Sequence, residues 1–294
     1  MPESFTNTQR RRVKDPNQKP KFRWLVILLL GLLLSFTAYV ALDALWFDDA
    51  TAAAPGTHAP FGELSELAEK DNFQQAYLKA NGGWEHLKTL ETLRLNGTLT
   101  SPDGDTGVFI LKRRPDMVLT TYSFGKEEIT YGHADGHYWL RRSQPQSIDT
   151  TRKMTKEEAA RMESDLLFFD PILSIYLDGE GEVQFIEPSS YDGADVLELT
   201  VRLKRFPEPV RLMVDPLTMQ IRFQSTERFE GRRERIVFGD YRSVDRVNLA
   251  HRMEVEIDGK PEGRFLVNDA SFNVGVGSGL FHAEDLSDPA STEN

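Results

Sequence analysis

Strict period-two alternation is the feature of this chain that most constrains its fold. Leu93, Leu95 and Leu99 share a face against Arg94, Asn96 and Thr98. Leu197, Leu199, Val201 and Leu203 face away from Glu198, Thr200, Arg202 and Lys204, and Met253, Val255 and Ile257 alternate with Glu254, Glu256 and Asp258. Side chains project alternately from a strand, so this pattern marks antiparallel strands with one dry and one wet face. Turn formers separate the runs at Pro102-Asp103-Gly104, Asp135-Gly136, Asp192-Gly193, Asp215-Pro216 and Asp258-Gly259. About five strands are expected over residues 92–142 and six over 182–272, about eleven in all, in one mainly β (α+β) sheet. A sheet of that size curls. Closed fully, it is a barrel; left partly open, it needs a lid over its apolar face.

Two helical stretches interrupt the strands and supply that lid. Asp71 is placed to cap a helix carrying Phe73, Ala76, Tyr77 and Ala80 on one face, and Gly82-Gly83 to end it. A short turn with Trp84, Leu87 and Leu90 follows. The second stretch starts at Thr155, has Glu157 and Glu158 in its first turn, and turns Met162, Leu166 and Phe169 inward. It should break at Asp170-Pro171, where Asp170 caps a new helix opened by Pro171, with Ile172, Ile175 and Tyr176 inward and Gly179 at its end.

The N-terminus carries a different signal. Trp24 to Leu42 is 19 residues without a charge. As a helix this run is roughly 28 Å long, close to the bilayer hydrocarbon thickness. Seven Lys and Arg precede it, whereas Asp43, Asp48 and Asp49 follow with no basic residue until Lys70. Basic flanks stay cytoplasmic, so the expected topology is N-in, C-out and single-pass. A cleaved signal peptide is the competing reading, although its apolar core is about 7–15 residues. The expected organisation is a basic cytoplasmic tail (1–23), a transmembrane helix (24–46), a linker (47–62), a folded domain on the opposite side of the membrane (63–282) and an acidic tail (283–294).

Composition excludes several functions. The chain has no cysteine, hence no disulfide, no thiolate metal site, no cysteine nucleophile and no cysteine-borne lipid anchor. Residues 1–47 hold 7 of the 35 Lys and Arg and 3 of the 46 Asp and Glu, so residues 48–294 carry 28 basic against 43 acidic groups, a formal charge of −15. Such a domain is no nucleic-acid binder. His133 and His137 flank a hairpin turn and lack the helical spacing of a zinc-protease motif. Ser278 lacks the strand-to-helix context of a nucleophile elbow. No phosphate loop and no nucleophile–base set stands out, so no catalytic residue, cofactor or metal is assigned and the chain is read as a non-enzyme.

Three segments carry a family resemblance. AYLKANGGWEHLKTLETLRLNGTLTSPDG (76–104), YGHADGHYWLRRS (131–143) and FGDYRSVDRVNLAHRMEVEIDGKPEGRFLVNDASFNVGVGSGLF (238–281) resemble, in order of elements and local pattern, the periplasmic outer-membrane lipoprotein-sorting (LolA/LolB-like) family. The resemblance spans roughly residues 70–282. It implies an incomplete β-barrel capped by helices around an apolar cavity that takes a lipid or acylated lipoprotein, in sorting toward the outer membrane. The expected cavity residues are Phe109, Leu111, Leu199, Val201, Ile221, Phe223, Val255 and Phe265 on the sheet, with Phe169, Ile172 and Tyr176 above them. Alternation alone does not separate a filled core from a cavity; the resemblance favours the cavity. The transmembrane anchor departs from the family pattern and favours a fixed station over free shuttling. The alternative function is a non-catalytic envelope sensor or scaffold that binds a membrane-protein partner.

Overall fold

Among the described residues, backbone pairing joins every strand into one antiparallel sheet. The computed structural model describes residues 60–206, 208–227 and 233–283. The tail, the apolar run at 24–46, most of the linker and nearly all of the acidic tail lie outside them. Among the described residues no helix is long and apolar enough to cross a membrane.

Three short helices come first: α1 (Leu64–Leu67), α2 (Lys70–Ala80) and α3 (Trp84–Leu87). Six strands follow: β1 (Thr92–Ser101), β2 (Gly104–Arg113), β3 (Met117–Phe124), β4 (Glu127–Ala134), β5 (His137–Ser143) and β6 (Thr150–Lys153). A helical insert holds α4 (Lys156–Met162), a 3-10 turn (Glu163–Leu166) and α5 (Pro171–Asp178). Seven more strands complete the sheet: β7 (Gly181–Tyr191), β8 (Ala194–Leu203), β9 (Val210–Val214), β10 (Ile221–Glu227), β11 (Arg233–Val244), β12 (Val247–Ile257) and β13 (Lys260–Phe272). A 3-10 turn at Ser278–Phe281 follows.

The strand order is β6-β5-β4-β3-β2-β1-β13-β12-β11-β10-β9-β8-β7. Two meanders are therefore joined through the first and last strands. The sheet has 13 strands, not about eleven, and it does not close: β6 and β7 are its two edges. The strand missed in the first meander is β6, whose Thr-Thr-Arg-Lys sequence has no apolar alternation. In the second meander seven strands stand where six were expected. The insert α4–α5 connects one edge strand to the other, which carries it across the open side.

Local chemistry sets these boundaries. Asp135-Gly136, Asp192-Gly193 and Asp258-Gly259 have both residues at positive φ, the backbone that a two-residue hairpin requires. Asp245-Arg246 makes the same turn without a glycine, at φ 46° and 64°. Thr155 and Glu158 form a reciprocal capping box on α4. Asp170 accepts from the Ile172 and Leu173 N–H groups at 2.8 and 3.0 Å, and Gly179 ends α5 at φ 66°. The expected cap of α2 is shifted: the helix begins at Lys70 with Glu69 before it, and Asp71 lies in the first turn, where its charge suits the positive end of the helix dipole.

The principal core lies on the concave face. It gathers Phe73 and Tyr77 of α2, Ile172 and Leu173 of α5, and the inward residues of β1, β2 and β7–β13. A second, smaller cluster lies on the convex face, where Leu111 and Ala134 are covered by Phe281. The segment after β13 crosses that face, and the Trp139 indole donates to the Phe281 carbonyl at 2.8 Å.

Candidate functional site: a cavity under the helical insert

Strand parity decides which side chains can reach the concave interior. On β2 the pattern of burial places Val108, Ile110 and Lys112 on that face. Opposite them, Leu93 and Leu95 come from β1, and Phe265 and Met253 from β13 and β12. The insert descends onto these residues. After the 3-10 turn the chain runs extended through Leu167, and Phe168 and Phe169 meet at 4.6 Å edge to face, both within about 6.5 Å of the Phe272 ring.

These surfaces do not fill the space between them. A cavity of about 70 Å³ remains, walled by Leu93, Leu95, Ile110, Phe168, Phe169, Leu173, Met219, Ile221, Phe238, Met253, Phe265 and Phe272. Ala250 and Val247 form part of its floor, and the half-buried Gln220, Asn248 and Leu249 lie at its solvent side. A single water needs about 10–15 Å³ by the same kind of measure, so the space exceeds a packing defect.

Polar groups enter this apolar wall at few points. Lys112 is 8% exposed. Its Nζ donates to the Leu167 carbonyl at 2.7 Å, which ties the sheet to the insert. Burial pulls its pKa down to about 8, and the nearby Asp165 carboxylate opposes that shift. Asp165 accepts a hydrogen bond from the Tyr131 hydroxyl. Asp170 lines the cavity at the start of α5. Burial raises its pKa to about 6 against the opposing hydrogen bonds from Leu173, Ile172 and Tyr77. Burial also pushes the Tyr77 hydroxyl well up, with Asp170 adding to the shift. The Tyr241 hydroxyl donates to the Ile221 carbonyl at 2.6 Å. Asn81 and Asn248 hold the rim: the Asn248 N–H donates to Asn81 Oδ1 at 3.2 Å, and Asn248 Nδ2 to the Ala80 carbonyl at 3.1 Å.

The expected cavity residues divide into three groups. Phe169, Ile221 and Phe265 line the cavity. Ile172, Leu199, Val201 and Val255 are fully buried in the same core, behind the wall rather than on it, and Tyr176 packs half-buried against that core. Phe109, Leu111 and Phe223 are not in the interior. Phe109 and Leu111 lie on the convex face, in the cluster beneath Phe281. Phe223 is displaced by a bulge: the β9 pairing steps from Ile221↔Val214 to Phe223↔Met213. One extra residue reverses every later side chain. Gln224 and Thr226 therefore turn inward, and Phe223 stacks on Tyr191 at 5.6 Å with the Arg235 guanidinium 4.9 Å from its ring.

Lys112 is hidden from a reading by alternation for a related reason. Val108-Phe109-Ile110-Leu111 is apolar throughout and carries no parity. A lysine at 112 then reads as an outward position, which by parity turns Phe109 and Leu111 inward. The usable signal was Asp105-Thr106-Gly107, where the small Thr106 is buried between exposed neighbours.

The remaining candidates fall elsewhere. His133 is buried on the concave face, with Nδ1 2.7 Å from the Asp116 carbonyl and its ring 4.4 Å from Tyr138. His137 is exposed at the other end of the same turn. Arg141 sits over the Trp139 ring, and Arg142 pairs with Glu127 at 3.4 Å.

No family model matches the sequence, and no curated protein matches it. Among solved structures, the chain is similar to a LolA superfamily protein from Nitrosomonas europaea, at 12% identity and a TM-score of 0.47, over 71% of this chain and 97% of that one. It also matches MucB, solved in complex with periplasmic MucA, at 11% identity and a TM-score of 0.20, over 71% of this chain and 58% of that one.

Proposed function

We propose that this chain is a non-catalytic, membrane-tethered binding protein that buries acyl chains of a lipid or acylated lipoprotein and passes them toward the outer membrane from a fixed position at the inner membrane. The observation that carries the reading is the unfilled apolar cavity between the concave sheet and the Leu167–Leu173 segment. The tether rests on the uncharged run at 24–42 and its asymmetric flanking charge.

Loading follows from the geometry. A chain longer than the cavity requires the insert to move away from the sheet, which breaks the hydrogen bond from Lys112 to Leu167. A bond with a charged donor contributes about 1.5–3 kcal/mol. Each buried methylene contributes about 0.8 kcal/mol, so roughly two to four methylenes offset the opening. Release to an acceptor needs only a higher acceptor affinity.

The test is displacement of a fluorescent acyl probe from residues 60–294. Saturable binding is expected, weakened at least several-fold by Ala250→Phe, which fills the cavity floor, and unchanged by Phe223→Ala on the convex face. A folded domain that binds no probe would sink the reading and leave the scaffold alternative.

A further inference from the structure

Resting on the acyl-binding reading, we infer that the cavity selects an amphiphile with an anionic carboxylate head, held by the Lys112 ammonium, over a neutral or cationic one. Lys112 projects from β2 into a mainly apolar wall, and it is the one cationic side chain among the lining residues, whose other polar members are Tyr77, Asn81, Asp170, Gln220, Tyr241 and Asn248. Its ammonium has three N–H donors, and the described residues use one of them, for the Leu167 carbonyl at 2.7 Å. Among the described residues it makes no ion pair. The nearby Asp165 carboxylate balances this cation only from beyond ion-pair distance, so two buried N–H donors lack acceptors, and an incoming carboxylate supplies them.

The size of the space narrows the head further. At about 70 Å³, a planar carboxylate with its first methylenes fits more readily than a branched phosphodiester. The other carboxylate on the cavity wall does not compete for Lys112. Asp170 is occupied by the Ile172 and Leu173 N–H groups and by the Tyr77 hydroxyl. Asp165 accepts from the Tyr131 hydroxyl and acts on Lys112 from beyond ion-pair distance. The head therefore lies at Lys112, and the chain runs along Phe265 and Met253 toward the rim at Asn248 and Gln220.

Photolabelling of the full-length chain tests this, using dodecanoic acid, dodecanol and dodecylamine that each carry a diazirine near the chain end. Labelled positions are mapped by peptide mass spectrometry. The acid is expected to label the cavity segments Phe168–Leu173 and Val247–Met253 about tenfold more than the alcohol, as a charge-assisted hydrogen bond implies, and the amine least. Lys112→Met should remove the difference between acid and alcohol while the alcohol still labels. Equal labelling by acid and alcohol in the unsubstituted chain would overturn the inference and leave acyl binding standing. Labelling of neither at these segments would overturn both. If Lys112→Met does not fold, the three-ligand comparison on the unsubstituted chain decides alone.

Discussion

Replacing Lys112 by methionine isolates the cost of a charge buried in this cavity. In the folded protein the ammonium is destabilised enough to bring its pKa from 10.5 to about 8, which corresponds to about 3 kcal/mol. Methionine removes that cost but leaves the Leu167 carbonyl without its donor, at about 1–3 kcal/mol. The two terms nearly cancel near pH 7, so the variant should be about as stable as the parent or up to about 2 kcal/mol more stable. The pH dependence is the sharper readout. Between pH 8 and 10.5 the unfolded chain keeps the Lys112 proton while the folded chain loses it, so parental stability rises with pH through this contribution. The Met variant lacks the group, and the other titrations are common to both proteins. Urea unfolding of residues 60–294, followed by tryptophan fluorescence at pH 7 and pH 10.5, should show the difference moving by about 2–3 kcal/mol in favour of the parent. A difference that stays constant within about 0.5 kcal/mol would refute the placement of Lys112 in a dry interior.

Other consequences follow from the same packing. Asp170→Asn keeps an N-cap on α5 but removes a carboxyl whose pKa is raised to about 6. The parent loses stability as pH rises from 4 to 6, because the folded state holds the proton that the unfolded state has released. The difference should shift toward the Asn variant by about 1–2 kcal/mol across that window, discounted for the group's partial exposure, as read by thermal melts; no shift would argue that Asp170 is solvated. Phe281→Ala should cost about 3–5 kcal/mol, because this fully buried ring covers Leu111 and Ala134 on the convex face. Trp139 emission should then move to the red as its cover loosens, and an unchanged melting temperature would mean that the terminal segment is not part of the fold.

The local grammar of this protein is written in short sequence windows. The capping box at Thr155, the Asp170-Pro171 start and Gly179 stop of α5, and the Asp-Gly hairpins each depend on residues within a few positions of one another, so they could be read without tertiary information. The inward sets of β8 and β12 were equally legible, because Leu197 to Leu203 and Met253 to Ile257 alternate without interruption. Three things could not be read that way. The edge strand β6 has no dry face, so it has no hydrophobic signal; only pairing with β5 makes it a strand. The bulge after Ile221 changes parity without changing composition, so Phe223 looked like a neighbour of Ile221 and is in fact on the opposite face. Lys112 is polar yet buried, because the carbonyl that accepts from it belongs to a segment 55 residues away. An antiparallel sheet with a helical insert, and the positions of its turns, are set by side-chain alternation and local backbone preference. That the sheet stays open between β6 and β7, that the insert spans that gap, and that a cavity with a buried lysine remains beneath it all follow from contacts between residues far apart in the chain, which no local window contains.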